Sequence, residues 1–190
     1  WIDHEERMFR QLEKRIVADR LVKGFFDDRG EPDVDGFIKF SLSVQNTRKS
    51  RMGLSFEHHV GALFEAHQLK FATQARTERG NKPDFLFPGQ LEYDNQSFSS
   101  QLLTLLAAKS TCKERWRQIS SEADRIERKH LITIEPGISE AQTRQMHEQS
   151  VQLVVPGPLH ETFSASQRDW LWSAQNFIDL VKERQARAIA

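Results

Sequence analysis

The chain has 190 residues, and its 27 Lys and Arg residues balance its 27 Asp and Glu residues, so the formal net charge is zero. This length fits one domain with a sizeable core, to which thirteen Phe and four Trp residues contribute. A balanced charge excludes a globally basic nucleic-acid-binding protein but allows a local basic surface. A single Cys excludes a disulfide framework and favours a reducing compartment.

Membrane and nucleotide-binding signals are missing from the sequence. Its apolar runs fall short of the roughly 20 residues of a membrane span, and no signal-peptide pattern occurs. No Gly-rich phosphate loop is found, so a nucleotide cofactor is not expected. The chain begins with Trp1 rather than Met, which favours a domain taken from a longer protein. We therefore expect a soluble intracellular domain.

The first third of the chain is predicted to be helical. Residues 3–23 have apolar residues at helical spacing among charges. The following GFFDDRGEPDVDG segment holds Gly, Pro and acidic residues and predicts a loop. Two further helices are predicted at 34–44 and 55–68, separated by the basic segment NTRKSRMG. These helices would form an N-terminal helical layer.

The rest of the chain alternates between predicted strands and helices. Short apolar or β-prone runs predict strands in LKFATQ, DFLF, QLLTLLAA, HLITIEPG and VQLVVPGP. Helices are predicted at 113–129, 139–148 and 166–187. This order favours a mixed or mainly parallel central sheet flanked by helices. Since no repeat or linker interrupts it, we predict one α/β domain over residues 1–190.

Three charged residues around the predicted strands are typical of a metal-dependent nuclease. The pair Pro83-Asp84 precedes one strand, and Lys109 ends another. Nucleases of the PD-(D/E)xK type place an acid two residues before this lysine, where the present chain has Ala107. Glu122, in the predicted helix after Lys109, can supply the missing carboxylate if that face of the helix turns toward the strand ends.

Phosphodiester hydrolysis requires these residue types to meet. Carboxylates such as Asp84 and Glu122 hold Mg²⁺ together with oxygen atoms of the substrate phosphate. A lysine such as Lys109 stabilises the negative charge that develops during attack. A purely structural interpretation is equally open at this point, in which Asp84 caps a turn and Glu122 is solvated.

Further polar residues are candidates for DNA contact or catalysis. Lys113, Glu114 and Arg115 open the helix after Lys109, and such side chains can read G·C pairs in the major groove, although ordinary surface charges would look the same. A second group of residues could contact phosphates or assist catalysis: Arg48, Lys49 and Arg51 for the DNA backbone, and Glu57 and Tyr93 for the active site. For these, a solvated loop, a surface acid or a packed ring remain the alternatives.

Four segments together resemble one known family. NKPDFLFPG, AAKSTCKERWRQISSEADRI, HLITIEPGIS and VQLVVPGPL are closely similar to the C-terminal catalytic domain of EcoRII-type restriction endonucleases. The resemblance covers most of the chain. In this branch the second acid follows the lysine by thirteen residues, and Glu122 follows Lys109 by thirteen.

The resemblance implies a PD-(D/E)xK restriction-endonuclease-like fold and a homodimeric, Mg²⁺-dependent enzyme of the bacterial cytoplasm. Such enzymes cut double-stranded DNA at CCWGG before the first C, leave five-nucleotide 5′ overhangs and flip the central bases. It assigns catalysis to Asp84, Lys109 and Glu122. Arg7 and Phe9 are candidates for the flipped-base pocket, which needs a flat surface. Full-length relatives also have an N-terminal effector domain, which we expect to be absent here.

Two other functions remain open from the sequence. A DNA-binding module of the same fold would bind without cutting, although all three catalytic positions are filled. A structure-specific nuclease, such as a junction resolvase, would have no need for a base-reading Lys-Glu-Arg triplet.

Overall fold

A computed structural model describes residues 2–112 and 116–189 and divides the chain into two compact units, Trp1–His59 and Val60–Ala190. In the first unit, helix α1 (Ile2–Lys23) is followed by a turn and by most of helix α2 (Val34–Ala66). The turn is closed by a bridge between Phe26 and Pro32. Predicted helix 3–23 is confirmed.

Helix α2 corrects the prediction of two helices separated by a basic loop. Its 33 residues run without a break through NTRKSRMG, so Arg48, Lys49 and Arg51 are helical. Arg, Lys, Met and Leu are good helix formers, and one Gly inside a helix costs only about 1 kcal/mol. Gly53 therefore does not end α2.

The second unit contains a five-stranded sheet in the order β1-β2-β3-β4-β5. Its strands are β1 (Ala72–Thr73), β2 (Phe85–Phe87), β3 (Thr104–Ala108), β4 (Lys129–Ile132) and β5 (Val151–Val154). β1, β2 and β3 are antiparallel neighbours, whereas β3, β4 and β5 are parallel. Strands β2 to β5 are buried along their whole length, as expected for a sheet covered on both faces. The predicted mixed central sheet is confirmed.

Alternate residues of the strands pack into two different cores. Leu86, Leu105 and Ala107 belong to an apolar cluster that also contains Trp116 and Met146. The opposite face is an aromatic cluster in which Phe rings lie 5.2 to 5.9 Å apart: Phe64, Phe71, Phe85, Phe87 and Phe177. This alternation follows from the two-residue period of a strand.

Not all helices predicted for the second unit have the predicted extent, and its described residues form the following α-helices after α2. They are α3 (Gln90–Asp94), α4 (Trp116–Ile119), α5 (Glu140–Glu148), α6 (Ala165–Arg168) and α7 (Ala174–Ile189). The helix predicted over 113–129 is wrong beyond Ile119, because turns follow and Lys129 already begins β4. The predicted helix 166–187 is interrupted between α6 and α7. No helix within the described residues is long and apolar enough to cross a membrane.

Candidate active site

Asp84 and Lys109 meet where β2 begins and β3 ends. Phe85 pairs with Leu106 in the antiparallel ladder, so the residue before β2 lies beside the end of β3. Asp84 Oδ2 accepts hydrogen bonds of 2.7 Å from the Ala108 backbone N–H and from Lys109 Nζ. Asp84 is only 8% exposed. A buried carboxylate with two donors, one of them charged, is fixed in position.

Glu122 lies in the turns between α4 and β4, not in a helix. Its side chain is half-buried, and Oε2 is buried with no hydrogen-bond partner among the described residues. The pKa of Glu122 is raised to about 7, mainly by burial and to a lesser extent by the negative charge of Asp84. The positive charges of Lys109 and Lys129 act in the opposite direction. The two carboxylates and Lys109 therefore act on one another electrostatically. The structure brings together the three residues that the sequence analysis singled out, although it supplies Glu122 from a turn.

This pair of carboxylates fits a divalent cation. The described residues contain no group of three or more His, Cys, Asp or Glu side chains that could hold a metal. Mg²⁺, however, commonly uses only one or two protein carboxylates, with water and phosphate oxygens completing its shell. The buried, unpaired Oε2 of Glu122 and its repulsion by Asp84 are both features that a bound cation would relieve.

Tyr93 has a partner that sequence reasoning missed. It is 4% exposed in α3, and its hydroxyl donates a 2.6 Å hydrogen bond to Glu78 Oε2. Burial and the Glu78 carboxylate raise the pKa of Tyr93, so the hydroxyl stays protonated. Glu78 is one acid among many in the sequence, and no local pattern distinguishes it.

Lys129 is a second cation near Glu122 that the sequence did not indicate. It is 7% exposed at the start of β4. Burial lowers its pKa, and the charges of Asp124, Glu78 and Glu122 act in the opposite direction. The apolar run that follows Lys129 predicted only a strand.

Cys112 is no candidate nucleophile. It is fully buried, and burial together with the nearby Glu135 carboxylate raises the pKa of its thiol to about 12. Since the thiolate is the reactive form, the neutral thiol is inert at ordinary pH.

The remaining candidates lie in the first unit or outside the described residues. Arg51 lies over the Phe9 ring, with its guanidinium carbon 5.5 Å from the ring centroid. Arg48 Nε donates a 3.0 Å hydrogen bond to Glu13. Arg7 is exposed and donates to the Asp3 carbonyl at 3.3 Å. Two more candidates, Lys49 and Glu57, are on α2. The proposed base readers Lys113, Glu114 and Arg115 lie outside the described residues.

A family profile described as EcoRII C terminal matches residues 9–178. The chain belongs to the EcoRII C-terminal family. This confirms the resemblance found in the sequence and holds over most of the chain.

Two curated relatives of this EcoRII C-terminal chain are type II restriction enzymes. EcoRII of Escherichia coli is 46% identical over 175 residues, which are 92% of this chain and 42% of that protein. SsoII of Shigella sonnei is 26% identical over 127 residues, 60% of this chain and 41% of that protein. The chain thus spans about two fifths of the length of these relatives.

Solved structures share the fold. One is metal-depleted Ecl18kI in complex with uncleaved DNA, with a TM-score of 0.66, 21% identity, and coverage of 77% of this chain and 50% of that one. Another is metal-depleted Ecl18kI with uncleaved, modified DNA, with a TM-score of 0.73, 20% identity, and coverage of 97% and 66%. The predicted PD-(D/E)xK restriction-endonuclease-like fold is confirmed.

Proposed function

We propose that this chain is the catalytic part of a type II restriction endonuclease that hydrolyses double-stranded DNA with Mg²⁺. The observation that carries the proposal is the Asp84–Lys109 pair beside the protonatable Glu122, within a chain of the EcoRII C-terminal family. The relatives EcoRII and SsoII are type II restriction enzymes, and the similar Ecl18kI structures contain DNA.

The three residues divide two tasks in this proposal, metal binding and charge stabilisation. Asp84 and Glu122 would hold the metal, which when bound neutralises negative charge and lowers the pKa of a water molecule. The Ala108 N–H fixes Asp84, so that this ligand needs no rearrangement. Lys109, whose Nζ lies 2.7 Å from Asp84 Oδ2, is placed to donate to a phosphate oxygen during attack. Glu57 and Tyr93 are proposed as supporting residues, with Tyr93 acting through its bond to Glu78.

The finer specificity is also a proposal. We infer CCWGG as the target, cleaved before the first C, with Lys113, Glu114 and Arg115 reading the C·G pairs. Arg48, Lys49 and Arg51 would contact the DNA backbone. Arg7 and Phe9 would hold the flipped central bases, and the contact between Arg51 and Phe9 supports a shared surface for these groups.

We further propose a homodimer in the bacterial cytoplasm. A nearly palindromic site calls for two copies related by a twofold axis. Helix α1 exposes a stripe of apolar side chains at spacings of four residues, Met8, Leu12 and Ile16, and α2 exposes Phe37 and Leu42. Such surfaces are typical of protein interfaces. Sedimentation of the purified chain with and without a CCWGG duplex tests this; a monomer in both cases would contradict it.

The activity is tested by cleavage of a library of short duplexes, in Mg²⁺ and in EDTA. We expect metal-dependent cuts confined to CCWGG, abolished by Glu122→Ala and retained by Glu127→Ala, an exposed acid of the same segment. Glu122→Ala should still bind the site in Ca²⁺. Cuts at another sequence would refute the target but keep the nuclease. Specific binding without cutting by the unchanged chain would favour a non-catalytic DNA-binding module.

A further inference from the structure

The segment that carries Glu122 has no regular secondary structure to fix it. Helix α4 ends at Ile119 and strand β4 begins at Lys129. Ala123, next to Glu122, has a φ of 52°, in the left-handed region that residues with a Cβ rarely adopt. Such a conformation persists only where surrounding contacts hold it. The contacts that hold this turn therefore determine where the Glu122 carboxylate lies.

One set of those contacts comes from a short segment before β2; others are the bonds of Arg125 to the Tyr93 and Phe98 carbonyls and the burial of Ala123. The side chain of Arg79 donates to Asp124 Oδ1 at 2.9 Å and Oδ2 at 2.7 Å, and to the Ser121 carbonyl at 3.1 Å. Asn81 Nδ2 donates to the same Ser121 carbonyl at 3.0 Å. We call Glu78, Arg79 and Asn81 the bracket.

Glu78 adds an acceptor to the bracket, whereas Arg79 and Asn81 supply donors. Its Oε2 accepts a 3.1 Å hydrogen bond from the Asp124 backbone N–H and the bond from the Tyr93 hydroxyl. The bracket thus forms hydrogen bonds with the turn at Ser121, one residue before Glu122, and at Asp124, two residues after it. Arg79 has a φ of 60°, so the bracket and the turn each contain a left-handed residue, Arg79 and Ala123.

The bracket also joins the two carboxylates to one another. Asn81 lies three residues before Asp84, and Pro83 restricts the backbone between them. The segment that delivers Asp84 is therefore bonded directly to the turn that delivers Glu122. Asp84 is itself fixed to β3 by its hydrogen bond from the Ala108 N–H. The bracket therefore holds the turn of Glu122 in a fixed position relative to the sheet.

We propose that Glu78, Arg79 and Asn81 are positioning residues that set the separation of Asp84 and Glu122 for binding a divalent cation. This inference rests on the proposed function, which assigns those two carboxylates to the metal. None of the three bracket residues needs to touch the metal or DNA. Residues that orient metal ligands in this way commonly change metal affinity by about 10- to 100-fold when removed.

The test measures metal binding without DNA or catalysis. Mn²⁺, a hard divalent ion of similar ligand preference, is titrated into the folded protein, and free Mn²⁺ is followed by electron paramagnetic resonance. Arg79→Ala should raise the dissociation constant by about 10- to 100-fold. The matched control is Arg76→Ala, which removes an exposed arginine three residues earlier and should leave Mn²⁺ binding unchanged. Arg79→Lys keeps the charge but not the forked contact and should restore binding only in part.

A double-mutant cycle distinguishes positioning from a general loss of stability. If Arg79 acts through Asp124 and Ser121, the double variant Arg79→Ala with Asp124→Ala should bind Mn²⁺ no more weakly than Arg79→Ala alone. The melting temperature should change little, because the Arg79–Asp124 pair is exposed. Asn81→Ala weakens the same turn through a different bond and decides the matter if Arg79→Ala does not fold.

The outcomes separate this inference from the function on which it rests. Wild-type Mn²⁺ affinity in both Arg79→Ala and Asn81→Ala, with the unchanged chain binding Mn²⁺ and cutting DNA, would overturn the positioning role alone. Failure of the unchanged chain to bind Mn²⁺ and to cut would refute the proposed function, and the inference with it. Weaker Mn²⁺ binding in Arg79→Ala but not Arg76→Ala supports the bracket.

Discussion

Glu122 should destabilise the metal-free protein at alkaline pH. In the folded chain its pKa is about 7 rather than 4.5. Between these two values the unfolded chain has released the proton while the folded chain keeps it, so stability falls as pH rises through this window and the loss is complete above about pH 7. The full rise corresponds to about 3 kcal/mol, at roughly 1.4 kcal/mol per pH unit. Because the half-buried side chain is partly screened by water, we expect about 2 kcal/mol.

Replacement of Glu122 by Gln isolates this effect. The Gln side chain has nearly the same shape and cannot ionise, so Glu122→Gln should be more stable than the unchanged chain by about 2 kcal/mol at pH 8 and by well under about 1 kcal/mol at pH 5. The assay is urea unfolding in EDTA, followed by tryptophan fluorescence. Comparing variant and unchanged protein at each pH cancels the other titrating groups. Glu127→Gln, at an exposed position of the same segment, is the control and should show no such difference.

The same stability difference at pH 5 and pH 8 would refute the reasoning, since it would mean that the pKa of Glu122 is the same in the folded and unfolded chains. A related expectation concerns metal. Added Ca²⁺ should stabilise the unchanged chain at pH 8 and should have less effect on Glu122→Gln, because a ligand that binds only the folded state shifts unfolding in its favour.

Three further results are expected. His130 is fully buried, and burial lowers its pKa to about 3. The folded chain therefore resists protonation of His130, and its free energy of unfolding falls as pH drops from 6.5 toward 3. Between pH 7.5 and pH 5, the free energy of unfolding in urea should fall by about 2 kcal/mol more in the unchanged chain than in His130→Phe. An equal loss in both would contradict this. Cys112 should not react with a thiol reagent at pH 8 until urea unfolds the chain; rapid reaction of the native protein would show that the thiol is accessible. Arg115→Ala should weaken binding to CCWGG by about 1–3 kcal/mol per lost base contact, measured by titration in Ca²⁺. A change only in salt dependence would make Arg115 a phosphate contact instead.

The sheet and part of the candidate site could be predicted because their signals are local. Five apolar runs predict five strands, and all five strands occur there, although in shorter form. Asp84 and Lys109 adjoin two of these runs, so pairing of neighbouring strands is enough to bring them together.

The helix boundaries and the bracket could not be predicted, for two different reasons. In residues 113–129, helical spacing of apolar residues continues past Ile119, but α4 ends at Ile119 and the backbone of Ala123 is left-handed. The bonds between Arg79 and Asp124 join positions 45 residues apart, and nothing in the ERGNKPD segment marks its charges as structural rather than solvated. Such pairings depend on how the chain is folded, and local propensity does not contain them.

Ala107 bears on how a nuclease of this fold could relocate its second acid. Its side chain is 1% exposed within the apolar cluster that contains Trp116, so a carboxylate at this position would be buried among hydrocarbon groups. A buried unpaired charge costs several kcal/mol, comparable to much of the stability of a small domain. A single change of Ala107 to an acid would therefore cost much of the stability of the chain, and under the proposed function loss of Glu122 first would remove a metal ligand. A move of the second acid to position 107 would thus require repacking of the apolar cluster around Trp116 at the same time.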